Sequence, residues 1–178
     1  MALPTPIDET TEEIRAALAP LRNAMSVAVT SLGNAFAAGA IVRVAHSFLV
    51  REIIFVGTEP HYEKASMGME KYESIVRVTD TDSFYAHAAG RPVYAIEKDQ
   101  ATRSLYDPQP FPTDVIFLFG SERFGLPLEA IARADATLGI PMYGVNHSFP
   151  VAVAAGMVLG EWGRRRYGHG ATSRPQAG

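Results

Sequence analysis

Two short segments concentrate the residue types that could do chemistry. The first is Phe119-Gly120-Ser121-Glu122-Arg123-Phe124-Gly125-Leu126-Pro127. Its two glycines permit tight turns and close backbone approach to a ligand. Exposed N–H and C=O groups on such a loop can pair with the edge of a purine. The same pattern also suits an ordinary strand-to-helix turn capped by Ser121 or Glu122. The second segment is Ile140-Pro141-Met142-Tyr143-Gly144-Val145-Asn146-His147-Ser148-Phe149-Pro150, which runs into the small residues Ala152, Ala154, Ala155 and Gly156. A pliable thioether, a glycine and a helix start can wall a ligand, although Met142 and Phe149 could equally fill a core. The five histidines (46, 61, 87, 147 and 169) show no ligand spacing, so no metal is expected. No Gly-x-Gly-x-x-Gly follows a first strand, which argues against dinucleotide binding.

The elements that must position these segments can be read from periodicity. Thr10-x-x-Glu13 is a capping box opening an acidic helix at 11–19, stopped by Pro20. The apolar runs at 25–30, 52–56, 92–96, 115–119 and 136–140 read as buried strands, and 75–78 as a shorter one. Helices are expected at 39–48, 80–89, 127–134 and 147–166. Residues 31–38, 58–73 and 98–113 read as loops, and 168–178 as a disordered tail. Uniformly apolar strands alternating with helices predict an α/β fold, a mostly parallel sheet covered by helices on both faces. Ligands then bind beyond the carboxyl ends of the strands, in the loops after residues 30, 96, 119 and 140.

The chain has 178 residues, a length that fits one principal domain. We divide it into an acidic helical extension (1–22), that domain (23–167) and the tail. The absence of cysteine excludes disulfides, thiolate metal sites and a cysteine nucleophile. No apolar run reaches the ~18 residues of a membrane span, and the acidic N-terminus is no signal peptide, so a cytoplasmic location is expected. The net charge is −3, but four acids lie within residues 1–14 and the remainder is +1. Thirteen of the sixteen basic residues are arginine, a composition compatible with phosphate contacts or with coding bias.

Three segments in order resemble the motifs of the SpoU/TrmH family of SPOUT RNA ribose 2′-O-methyltransferases. They are Gly39–Phe48 (GAIVRVAHSF), Phe117–Pro127 (FLFGSERFGLP), and Ile140–Gly144 (IPMYG) with Ser148–Gly156 (SFPVAVAAG). The resemblance spans about residues 25–165. It implies a C-terminal deep trefoil knot whose loops bind S-adenosylmethionine in a bent shape. By position, Ile96, Gly120, Ile140 and Ser148 match the family's cofactor contacts, with Phe119, Glu122 and Met142 flanking them.

On the acceptor side, Arg43 matches the family arginine assigned to deprotonating the ribose hydroxyl. An arginine pKa above roughly 12 makes it a poor base, so we read it as a phosphate and ribose clamp, against the alternative of a surface salt bridge. Glu122 would fix the cofactor loop. The resemblance further implies RNA (tRNA or rRNA) as partner. It also implies a homodimer through the last helix, with the arginine of one subunit serving the other's pocket. That helix carries an apolar stripe at 151, 154, 155, 158, 159 and 162, extended by Val153 and Met157.

Two family asparagines are replaced, by Ala37 and Pro150. Asn34 and Asn146 are the nearby candidates to take over their roles. The substitutions also leave room for a knotted dimer that binds without turnover, or for a non-RNA acceptor.

Overall fold

The computed structural model describes residues 9–30, 35–58, 63–121 and 124–168. Among the described residues, seven strands form one sheet: β1 (Ser26–Thr30), β2 (Ile53–Val56), β3 (Ile75–Val78), β4 (Val93–Ile96), β5 (Arg103–Ser104), β6 (Ile116–Phe119) and β7 (Ala136–Gly139). Their spatial order is β3-β2-β1-β6-β4-β7-β5, and every neighbouring pair is parallel.

The pleat sends alternate side chains to opposite faces, and both faces are apolar. Val27, Val29, Ile53, Phe55, Phe117 and Phe119 share one core with helices α2 (Ala35–Ser47) and α6 (Val151–Tyr167). Ala28, Ile54, Val56, Ala95, Ile116 and Leu118 share the other with α4 (Thr81–Ala88) and α5 (Leu128–Ala132). A sheet covered on both sides explains why its central strands read as unbroken apolar runs.

Several boundaries differ from the sequence reading, each for a local reason. Helix α2 begins at Ala35 rather than 39, because Ala37 and Ala38 are buried against the core instead of lying in a loop. Helix α6 begins at Val151 rather than 147. Pro150 stands at its N-cap with extended backbone (φ −52°, ψ 137°), so 147–150 stays in the preceding loop. The stretch 98–113 holds the two-residue edge strand β5, and 58–73 holds a short helix, α3 (Glu63–Ser66), and a 3₁₀ turn at Met69–Lys71. Helix α1 (Thr11–Leu18) has the expected capping box, but Pro20 sits inside a following 3₁₀ turn at Ala19–Leu21. The tail expected from residue 168 lies, from 169 onward, outside the described residues.

The N-terminal segment is tied to the rest of the fold. Ile14 and Leu18 are buried, and Arg15 Nε donates to the Lys71 carbonyl at 2.6 Å. Arg22 Nη1 and His46 Nδ1 both meet the fully buried Glu73 carboxylate at 2.7 Å.

Candidate functional site

Strands β6, β4 and β7 are neighbours, so their carboxyl ends release three loops side by side. Register aligns Ile96 with Phe119 on one side and with Leu138 on the other. Between these loops lies a cavity of about 180 Å³. Ile96, Phe119, Gly120, Ile140, Met142 and Ser148 all line it. Phe149, Val151 and Ala154 extend the apolar wall, and Glu97, Lys98, Ser121 and His147 supply polar groups.

The loop after β6 is held closed on itself. Ser121 N–H donates to the Gly125 carbonyl at 3.1 Å, and Gly125 N–H returns a bond to the Ser121 carbonyl at 2.9 Å. The Phe124 N–H donates to Ser121 Oγ at 2.9 Å. A Cβ on Gly120 would stand 2.3 Å from the Gly125 carbonyl carbon, so no other residue fits there. Gly125 has φ +66°, the left-handed region that favours glycine.

Glu97 is a lining residue the sequence reading missed. Its Oε1 accepts from the Lys98 N–H at 2.8 Å and the Asp99 N–H at 3.4 Å. Its Oε2 faces Gly125, 3.2 Å from where a Cβ would be. The available signal was its place directly after an apolar strand whose end lies beside the glycine loop.

The remaining candidates are elsewhere. Asn146 is exposed, donates from Nδ2 to the Ser148 carbonyl at 3.3 Å, and lines a neighbouring depression rather than the cavity. Arg43 is on the exposed side of α2 and does not line the cavity. Its carbonyl accepts from Ser47 Oγ at 3.1 Å, and among the described residues no acceptor holds its guanidinium. Glu122 and Asn34 lie outside the described residues. Ala37 is a buried core residue against the sheet. Among the described residues no cluster of His, Cys, Asp and Glu could hold a metal, and no helix is long and apolar enough to cross a membrane.

A parallel α/β sheet with a part-apolar cavity among three strand-end loops defines a protein built to hold a small organic ligand at the carboxyl edge of its sheet. The chain belongs to the SpoU rRNA Methylase family, whose match covers residues 24–160. It is 44% identical over 59 residues to a tRNA (guanosine(18)-2′-O)-methyltransferase of Thermus thermophilus, covering 33% of this chain and 30% of that protein. It is 29% identical over 133 residues to the 23S rRNA (guanosine-2′-O-)-methyltransferase RlmB of Coxiella burnetii, covering 72% of this chain and 53% of that protein. The matches thus span between about a third and a half of these curated relatives' own length. Among solved structures, an AdoMet-bound rRNA methyltransferase from Sinorhizobium meliloti superposes with a TM-score of 0.70 at 30% identity, covering 80% of this chain and 56% of that one. The A. aeolicus TrmH/SpoU tRNA modifying enzyme shares the fold, with a TM-score of 0.77 at 23% identity over 88% of this chain and 82% of that one.

Proposed function

We propose that this protein is an S-adenosylmethionine-dependent methyltransferase acting on a ribose 2′-hydroxyl of tRNA or rRNA. The observation that carries the reading is the convergence of Ile96, Phe119, Gly120, Ile140, Met142 and Ser148 on one cavity from three separate loops. Apolar walls suit the faces of an adenine ring, and a rim with a carboxylate, an ammonium and hydroxyls suits a sugar and an amino acid. When bound, the cofactor supplies an electrophilic sulfonium methyl, so the chain's own task is positioning and handling one proton. The paired Ser121 and Gly125 backbones form a side wall of the cavity. Ser148 lines the cavity, and Asn146 Nδ2 donates to its carbonyl.

Arg43 is exposed and does not line this cavity, which fits a homodimer in which the partner supplies it. Helix α6 offers the surface. Val153 is exposed, Ala152, Gly156, Met157 and Gly160 are half-buried, and a Cβ at Gly156 or Gly160 would meet nothing within 4 Å. There Arg43 clamps the acceptor's ribose and phosphate, easing loss of the hydroxyl proton. We further infer that the chain after β7 threads the loop between β4 and β6 to make a trefoil knot, and that the protein works in the cytoplasm.

Calorimetry with S-adenosylmethionine should give one site per chain, and tritiated methyl transfer should label unfractionated tRNA or rRNA. Absence of binding heat would end the cofactor reading. A second reading, binding without turnover, draws on Ala37, whose buried position leaves no polar group where the family has asparagine. Binding heat with no label in either RNA pool would select it.

A further inference from the structure

Among the described residues, Glu97 is the one acidic side chain that lines the cavity, and it is half-buried, open to a ligand that enters there. It follows β4 directly, and β4 pairs with β6 so that Ile96 stands beside Phe119. Paired strands run about 4.8 Å apart, so a side chain leaving the end of β4 reaches over the glycine loop that leaves β6. The distances agree. Glu97 Oε2 lies 3.2 Å from where a Cβ on Gly125 would stand, and outside the adjoining residues no other atom comes within 4 Å of that point. Glycine there keeps the space beside the carboxylate open, and Gly125 lines the same cavity.

The two carboxylate oxygens are used differently. Oε1 accepts from the Lys98 N–H at 2.8 Å and the Asp99 N–H at 3.4 Å, which fixes the direction of the group. Oε2 is turned to the glycine loop, and among the described residues no cation pairs with it. The neighbouring Lys98 Nζ turns instead to the His147 carbonyl at 3.5 Å and to Asp99 at 3.8 Å. A carboxylate oriented in advance, with one oxygen held and the other open on a ligand cavity, suits a hydrogen-bond donor carried by the ligand. The position says which donor. In nucleotide-binding parallel sheets, an acidic side chain at one strand end takes a ribose hydroxyl, while a glycine turn at a neighbouring strand end lets the backbone approach the ligand. Glu97 stands in that relation to the Gly120–Gly125 loop.

We propose that Glu97 binds the ribose hydroxyls of S-adenosylmethionine through Oε2 and so reads the sugar of the methyl donor. This inference rests on the cofactor reading and adds a specific contact to it. The test is calorimetry on the full chain, wild type against Glu97→Gln, with three probes. They are S-adenosylhomocysteine, 5′-methylthioadenosine, which lacks the amino acid, and 2′,3′-dideoxy-5′-methylthioadenosine, which lacks the hydroxyls as well. Glutamine keeps an oxygen for the two N–H groups, so the ligand-free melting curve should not change. Affinity for the first two probes should fall by the same factor, about tenfold. Affinity for the dideoxy probe should stay within about twofold of wild type, because carboxylate and hydroxyls act as one pair. In methyl transfer, KM for S-adenosylmethionine should rise about tenfold with kcat within about twofold. Glu97→Asp, which keeps the charge but shortens its reach, should show the same pattern across the probes.

Unchanged affinity of both variants for 5′-methylthioadenosine would overturn the assignment and leave the cofactor reading standing. A loss confined to S-adenosylhomocysteine would move the carboxylate to the amino-acid ammonium and overturn it too. So would an equal loss for all three probes, the mark of a cavity disturbed as a whole. If the wild type binds none of the three, the cofactor reading fails and the assignment falls with it.

Discussion

Arg43 shows how one side chain divides cofactor binding from turnover. It sits on the exposed side of α2, away from the cavity walls. Arg43→Ala should therefore lower methyl transfer by about 100-fold or more while leaving S-adenosylmethionine affinity within about twofold by calorimetry. Equal loss of both would put the residue at the cofactor instead. Ala37 teaches the opposite lesson. The sequence suggests restoring asparagine there to gain activity. The structure places the position in the core, where an amide would be buried among apolar side chains. Ile96, Gly120 and Ile140 were legible because each ends a strand or opens a glycine turn, and backbone geometry fixes where such residues point.

Among the elements, α6 carries the most information beyond its apolar stripe. Val151, Ala155, Val158, Leu159 and Trp162 are buried as the periodicity predicts, but so is Glu161. An acid beside an apolar stripe reads as solvent-facing, and only the structure reveals its partners. Arg164 Nε and Arg165 Nε each approach its carboxylate at 2.7 Å, and Arg165 Nη2 continues to the Leu105 carbonyl at 2.6 Å. The helix end is thereby strapped to the segment after β5. The hydrogen bond from Arg164, with that from Arg165 and both charges, outweighs burial and pulls the Glu161 pKa down to about 2.

A depressed carboxylate pKa contributes stability that is present above the ordinary value near 4.5 and is lost as pH falls toward about 2. Glu161→Gln should lower the Tm by about 2–4 °C at pH 7 and flatten the fall in stability between those two pH values. Chemical denaturation at pH 7, 4 and 3 would check this, and an unchanged acid limb would refute the strap. The strands were readable because two-sided burial forces apolar runs, whereas β5, at two residues, is too short to carry any pattern.

At the scale of the whole molecule, the division of labour between copies can be tested directly. If the arginine of one subunit serves the other's cavity, Arg43→Ala and Ser148→Tyr homodimers should both be inactive. Their mixture should regain activity in the one site that keeps an intact cavity and an intact arginine. Recovery on mixing the differently tagged variants, followed by tritium transfer, is the expected outcome. No recovery despite confirmed mixed dimers would place the arginine in its own subunit's site. The single-chain sequence could not reveal this arrangement from residue spacing, because spacing within one chain says nothing about a neighbour.

Gly156 and Gly160 carry one last consequence. Alanine at either position would favour an isolated α6, by about 1 kcal/mol each, and would meet no clash within the chain. The lone molecule would thus gain from a change that thickens the surface where two backbones are proposed to come together. Selection for solitary robustness and selection for pairing pull in opposite directions on this helix, and engineers seeking a heat-tolerant version should leave those two positions untouched.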